Sequence, residues 1–361
     1  MWVIDSYISY FSYIGLFSFV LFLVTKIILG KSVETKGDFF EHQRLAKKKV
    51  KWLYVVFVVA IALIFVTSYG ILLFMLESIN IQDRQDNIEF AKIGGIFLIF
   101  IIIIGYFINT SKISRNSINN IAKELNAEEL SKKTLVSNEK ILLNVVEEMA
   151  IASQMPIPRV FVLRNEYCIN AMCSGEYLGT YKERFAIFVT QGALDTFDRD
   201  ELQGVIGHEF SHIFHNDVEL NMKLISIIFA MSYVSTIGNV MLRSMSKSRS
   251  RDKNKATILI VSIVFIIVGF IGNIFSRMIQ SAISRQKEFL ADASSVQYTR
   301  NPDGIKEALH KIEQNTAKKA YISNENAITY AHMFFLPGFA TLFATHPSIK
   351  ERLKQLKNIR F

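Results

Sequence analysis

Cysteine is nearly absent: Cys168 and Cys173 are the only two in 361 residues. They form no C-x-x-C metal pair and are too few for a disulfide framework, so a small disulfide-stapled module is excluded. They are expected to be reduced thiols in a domain facing the cytosol. A cleaved secretory leader is also not expected. Met1-Trp2-Val3-Ile4-Asp5 offers no basic n-region and no small-residue cleavage site follows, so the first apolar segment is expected to be kept as a membrane span. There is no internal repeat and no low-complexity tract, apart from a Ser/Arg/Lys-rich stretch at 243–255. Finally, charge is missing over long runs. Residues 52–75 carry none over 24 positions, enough for a helix to cross about 30 Å of hydrocarbon.

Further apolar runs occupy 93–108, 224–242 and 256–275, and 14–24 is the centre of an earlier one. Half of the residues are hydrophobic (50%) and 29 are phenylalanine, so two soluble domains are excluded in favour of a polytopic membrane protein. The net charge of +9 gathers beside these runs. Lys26, Lys31, Lys36, Arg44, Lys47, Lys48, Lys49 and Lys51 lie between the first two spans. Glu77, Asp83, Asp86 and Glu89 follow the second, against Arg84 alone. The positive-inside rule puts the first connection in the cytoplasm and the second outside. A juxtamembrane basic loop favours anionic lipid as its partner, and no nucleic-acid partner is expected. The later hairpin conflicts with this rule, because its loop holds Arg243, Lys247, Arg249, Arg251, Lys253 and Lys255 against Asp252. Either the hairpin is forced across the bilayer or it lies partly in the interface. The length of the uncharged run at 256–275 favours a spanning hairpin.

Four regions are therefore expected. Residues 1–109 form a membrane region with three spans, 110–223 the first part of a mixed, globular domain, 224–275 the hairpin, and 276–361 the second part of that domain. In the first part, 113–130 and 137–151 have helical apolar spacing, whereas 159–163 and 185–190 read as strands with an extended stretch at 168–175 between them. A helix opens near Asp198, with Glu201 placed for a capping box. In the second part, 284–298 and 305–318 read as helices with a turn at Asn301-Pro302-Asp303-Gly304, and Ser348 and Glu351 form another capping box. The expected fold class is an α-helical polytopic membrane protein with a mainly helical α+β domain carrying a small β-sheet.

Histidine is scarce too, seven in all, yet three fall at 208–215. Residues 204–217 read G-V-I-G-H-E-F-S-H-I-F-H-N-D and contain the H-E-x-x-H signature His208-Glu209-Phe210-Ser211-His212. Residues four apart share a helix face, so both imidazoles reach one metal, and Glu209 is placed to serve as general base toward a water there. Two surface histidines are the bland alternative, but flanking Val205, Ile206, Ile213 and Phe214 argue for burial, and buried imidazoles need partners. Zinc hydrolases present three protein ligands. His215 would close a tetrahedron poorly from the same straight helix, so it reads as a neighbour of the site or a helix-end residue. Glu288 and Asp292 share a face. Glu288 is either the third ligand, with Asp292 accepting a hydrogen bond from a ligand imidazole, or an ordinary surface carboxylate. His346 is likewise open, as a polar residue before a capped helix or a member of the site, and Asn170 is open as a turn residue.

The stretches G-V-I-G-H-E-F-S-H-I-F-H-N-D, S-R-Q-K-E-F-L-A-D and T-H-P-S-I-K-E-R-L, in that order, resemble the HtpX-like membrane zinc metalloproteases, a family that includes the CAAX prenyl proteases. The resemblance covers 137–356, and it implies that 110–223 and 276–361 are the two parts of a zincin-type catalytic domain. It implies one zinc per chain held by His208, His212 and Glu288, with Glu209 as general base and Asp292 orienting a ligand. It also implies that His346 stabilises the tetrahedral intermediate. Residues 168–175 resemble the family's N-A-F-A-x-G stretch, which implies that Asn170 and Ala171 border the substrate cleft. Met172 and Cys173 stand there in place of the usual Phe and Ala. Expected partners are polypeptide substrates, membrane proteins above all, and the lipid bilayer. The expected location is a bacterial inner membrane with the site facing the cytoplasm, and the expected role is quality control of membrane proteins. A CAAX-type processing protease for lipidated peptides is the first alternative, disfavoured by only five apparent spans. An inactive zinc-binding scaffold is disfavoured by the presence of Glu209. An intramembrane metal transporter is disfavoured because the ligands fall between spans.

Overall fold

A computed structural model describes residues 37–78, 84–114, 118–176, 184–247, 255–316, 346–357 and 359–360. In chain order the elements are β1 (Gly37–Asp38), α1 (Phe39–Ser78), α2 (Arg84–Ser114), α3 (Ile118–Glu124), β2 (Glu128–Glu129), α4 (Ser137–Ser153), β3 (Arg159–Leu163) and β4 (Ala171–Glu176). There follow β5 (Arg184–Thr190), α5 (Gln191–Thr196), α6 (Arg199–Phe214), α7 (Asp217–Lys247), α8 (Lys255–Thr299), α9 (Pro302–Thr316), α10 (Ile349–Lys357) and β6 (Ile359–Arg360). The described residues fall into two compact units. One lies within Trp52–Lys112 and Lys223–Gln280, the other within Val33–Lys51, Ile113–Met222 and Ser281–Phe361. The expected span centred on 14–24, and the loop residues Arg249, Arg251 and Lys253, lie outside the described residues.

The first unit is helical. Among the described residues, Ile88–Ser111, Asp217–Met245 and Lys255–Thr299 are long and apolar enough to cross a membrane, and α1 carries the uncharged run 52–75. Its outer surface exposes Ile96, Phe100, Ile103 and Phe107, the arrangement a bilayer solvates and water does not. Helices pack here through small residues. A Cβ on Gly238 of α7 would stand 2.8 Å from the Ser262 carbonyl oxygen of α8, so the two backbones touch. The expectation of a span at 256–275 followed by a separate helix at 284–298 is corrected: both are one helix, α8, of 45 residues. The reason is local. No proline occurs between Pro158 and Pro302, and 276–284 contains no glycine either, so nothing interrupts the hydrogen-bond ladder.

The second unit is built on a four-stranded mixed sheet in the order β2-β3-β5-β4. β3 runs parallel to β5 (Val160↔Ile187), whereas β4 is antiparallel to it (Ala171↔Val189, Cys173↔Ile187) and forms an edge among the described residues. Side chains alternate between faces. Val160, Val162, Ala171, Cys173 and Ile187 turn to one side and pack with α4 and α6, while Phe161, Met172 and Phe188 turn to the other, against α3. The helix expected over 113–130 breaks instead: α3 ends at Glu124, Asn126 takes φ 51°, and the chain enters β2. The asparagine tolerates this left-handed turn, which competes with continued helix.

α6 begins where its caps dictate. The Asp198 side chain accepts from the Glu201 amide (3.0 Å) while the Glu201 carboxylate accepts from the Asp198 amide (2.8 Å). Lys311 of α9 also donates to Glu201 at 2.5 Å. α9 crosses α6 closely at Gly204, where a Cβ would lie 2.6 Å from the Ile305 backbone nitrogen. The turn expected at 301–304 is corrected: it is the start of α9, with the Asn301 side chain accepting from the Asp303 amide at 3.0 Å and Pro302 as first helical residue.

Candidate metal centre

The buried face of α6 carries His208 and Glu209, 0% and 1% exposed, and His212 stands one turn on from His208. The rings of His208 and His212 meet edge to face, 4.7 Å between centroids, and their Nε2 atoms lie 3.1 Å apart. Each Nδ1 faces a carboxylate. His208 Nδ1 is 2.9 Å from Asp292 Oδ1, and His212 Nδ1 is 2.9 Å from Asp217 Oδ2. A carboxylate only accepts, so each Nδ1 carries the proton and donates, leaving Nε2 as the ligating atom. Arg352 Nη2 also approaches His208 Nδ1, at a longer 3.3 Å, which leaves that assignment standing. From α8, Glu288 brings Oε2 to 3.5 Å from His208 Nε2 and Oε1 to 3.5 Å from His212 Nε2.

These atoms need a cation among them. His208, His212 and Glu288 offer ligand atoms that all lie within 4.8 Å of one another, and Glu288 Oε2 is buried with no hydrogen-bond partner among the described residues. Burial by itself pushes the His212 imidazole down, but hydrogen bonds to Asp217 and Glu288 outweigh it, and the group is pushed up to about 10. Without a metal, a proton on His212 supplies part of the missing charge, and a metal would displace it. The wider count agrees. Four buried carboxylates (Glu209, Asp217, Glu288, Asp292) face two buried cations (Lys287, Arg352), a deficit that one divalent ion fills. Two imidazoles and a carboxylate suit a zinc-type ion with positions left for water.

Around this set stand residues with different standings in the sequence. Glu209 Oε2 is buried and has no hydrogen-bond partner among the described residues. Cys173, on β4, neighbours Glu209. Burial first, then the Glu209 charge, pushes its thiol well above the ordinary range, so it stays a neutral thiol. His346 Nδ1 lies 3.1 Å from Glu288 Oε1, which brings that histidine to the centre. His215 is the C-terminal cap of α6, half-buried, with no hydrogen-bond partner for its Nε2 among the described residues and outside the trio. Burial pushes it down to about 4. Asn170 and Ala171 sit where β4 begins. Thr190 Oγ1 accepts from the Asn170 amide (2.9 Å), and Asn170 Oδ1 accepts from the Ala171 amide (3.0 Å), so this side chain holds the start of the edge strand.

Two partners were not singled out from the sequence. Asp217 is the first residue of α7, reached through Asn216 at φ 58°, a break that turns the carboxylate back toward His212. Arg352, 1% exposed, grips Asp292 with Nε to Oδ2 at 2.9 Å and Nη2 to Oδ1 at 2.6 Å. The H-N-D ending of the first motif and the R in P-S-I-K-E-R-L were the available signals.

The model of peptidase family M48 matches residues 136–360. A protein named Protease HtpX homolog from Streptococcus pyogenes serotype M5 is 32% identical over 266 residues, covering 73% of this chain and 86% of its own. One of the same name from Streptococcus uberis is 32% identical over 219 residues, covering 60% of this chain and 72% of its own. The crystal structure of S. mikatae Ste24p superposes with TM-score 0.48 at 17% identity, over 72% of this chain and 58% of that one. A family match across the whole second unit's motifs, and relatives alike over most of their length, lead to one statement: the chain belongs to peptidase family M48 and is a membrane metalloprotease.

Proposed function

We propose that the chain is a zinc-dependent endopeptidase that binds one zinc through His208, His212 and Glu288 and cleaves membrane-protein substrates for quality control. The carrying observation is the convergence of two Nε2 atoms and the Glu288 carboxylate beside the buried Glu209. Zinc, when bound, supplies the Lewis acidity that brings a water's pKa toward about 7. The chain's residues do the rest. Asp292 and Asp217 hold the imidazoles with Nε2 free to ligate. Glu209 takes the proton from the attacking water and delivers it to the leaving amine. His346 donates toward the developing oxyanion. The substrate lies extended along β4, the sheet edge that starts at Asn170 and Ala171, pairing backbone to backbone. The basic residues at 26–51 favour a cytoplasmic site in a bacterial inner membrane.

The test is zinc content and casein cleavage by the detergent-purified full chain, wild type beside Glu209→Gln. Stoichiometric zinc in both with cleavage lowered at least about a thousandfold in the variant is expected, since both the base and its charge are lost. Absence of zinc from both would sink the ligand assignment, and equal cleavage would sink the role of Glu209. The cellular role is tested by the lifetime of misfolded membrane proteins in cells carrying only Glu209→Gln; unchanged turnover removes it.

A further inference from the structure

Lys287 is the residue immediately before the Glu288 ligand, yet it is only 5% exposed, and its Nζ lies 3.2 Å from Asp217 Oδ1. The other oxygen of Asp217 holds His212 at 2.9 Å. Thus one carboxylate joins a metal-site imidazole to a buried lysine. The same design recurs on the other histidine, where Asp292 joins His208 to Arg352. The two relays differ in kind. Arg352 grips Asp292 through two aligned hydrogen bonds, whereas Lys287 makes an ion pair whose ammonium is not aligned as a hydrogen-bond donor. Burying an ammonium is costly, and a lone pair of this kind is weak evidence for stability as such. Its placement is more informative. Lys287 and Glu288 are consecutive on α8, while His212 and Asp217 flank the junction of α6 and α7. The ion pair therefore fixes the helix bearing the carboxylate ligand against the junction bearing the second imidazole.

We propose that Lys287 is a positioning residue of the metal centre: through Asp217 it sets the orientation of His212 and the register of Glu288 beside it. This rests on the zinc reading above. The proposal is tested by zinc affinity of the detergent-purified full chain, measured in competition with a chromophoric chelator, for wild type, Lys287→Met, Lys287→Arg, Asp217→Asn and the double variant Lys287→Met/Asp217→Asn. Lys287→Met is expected to weaken zinc binding by about 10- to 100-fold, the usual effect of losing an outer partner of a ligand. Lys287→Arg should recover most of this loss. Cleavage by Lys287→Met should return to within a few-fold of the wild-type kcat when zinc is raised to saturation, which a general folding defect would not allow. The double variant should bind zinc no more weakly than Asp217→Asn alone, because the lysine acts only through that carboxylate. A Lys287→Met affinity within threefold of wild type would overturn the proposal. So would a further tenfold loss in the double variant. Should Lys287→Met fail to fold, the double variant, which removes both buried charges together, is compared with Asp217→Asn, and a further tenfold loss there overturns the proposal. A wild-type chain that binds no zinc would instead remove the underlying ligand reading.

Discussion

Replacing Arg352 with methionine should loosen the metal centre more than any other single change outside the ligands. The side chain is 1% exposed and fills the space between α10 and α8. It makes two hydrogen bonds to Asp292, at 2.9 and 2.6 Å, and places Nη1 3.5 Å from Glu288 Oε2. Methionine fills similar volume but leaves Asp292, 2% exposed, as an uncompensated buried charge. Removing one partner of such a pair costs about 3–5 kcal/mol. Arg352→Lys keeps the charge but not the planar fork, and losing one charge-assisted bond costs about 1.5–3 kcal/mol. Trp52 lies in the first unit and would not report on this change. Hydrogen exchange resolved by mass spectrometry over 199–214 and 284–299 reads it directly. In metal-free protein, opening in the methionine variant should speed exchange by roughly two to four powers of ten, with the lysine variant between it and wild type. Protection in Arg352→Met within about threefold of wild type would refute the reasoning.

Two further outcomes follow from the same geometry. Gly204→Ala places a methyl 2.6 Å from the Ile305 backbone nitrogen, so α6 and α9 must separate, at a cost of about 1–3 kcal/mol. Denaturant unfolding monitored in the second unit should show the shift, and an unchanged midpoint would mean that the helices separate freely. Zinc binding at pH 7–8 should release at least about one proton per chain, because His212 is pushed up to about 10 in the metal-free protein and a bound water would add to the release. Affinity then rises with pH and levels off above about 10. Calorimetry in buffers of differing ionisation enthalpy measures the release, and zero protons would contradict it.

The pattern of residues makes some of this legible and hides the rest for identifiable reasons. His208 and His212 are legible because a four-residue spacing on a helix is a local geometric statement. Glu288 and Asp292 share a helix face, but only three-dimensional packing brings that face to α6 across a separation of 84 residues. Asp217 escaped because it lies five residues past His212, where an unbroken helix would point it elsewhere; the left-handed Asn216 is what returns it. Arg352 escaped because I-K-E-R-L-K-Q-L-K looks like an amphipathic helix with a solvated cationic face, and only Asp292 makes burial of one arginine tolerable. The edge strand was legible in outline at 168–175, although its start is set by Thr190, which no spacing rule links to Asn170. The unbroken α8 could have been read from the absence of any breaker in 276–284.

Arg352 stands 144 residues beyond the His208 imidazole it approaches. A ribosome adding roughly 5–20 residues per second needs about 7–30 s to make that stretch. During this interval the H-E-x-x-H helix exists without the arginine that compensates Asp292, and for most of it without Glu288 as well. A chain interrupted between positions 212 and 352 carries both histidines and Glu209 but lacks the arginine that pairs with Asp292. The buried charge of Asp292 is thus first balanced only once the chain has been made past position 352.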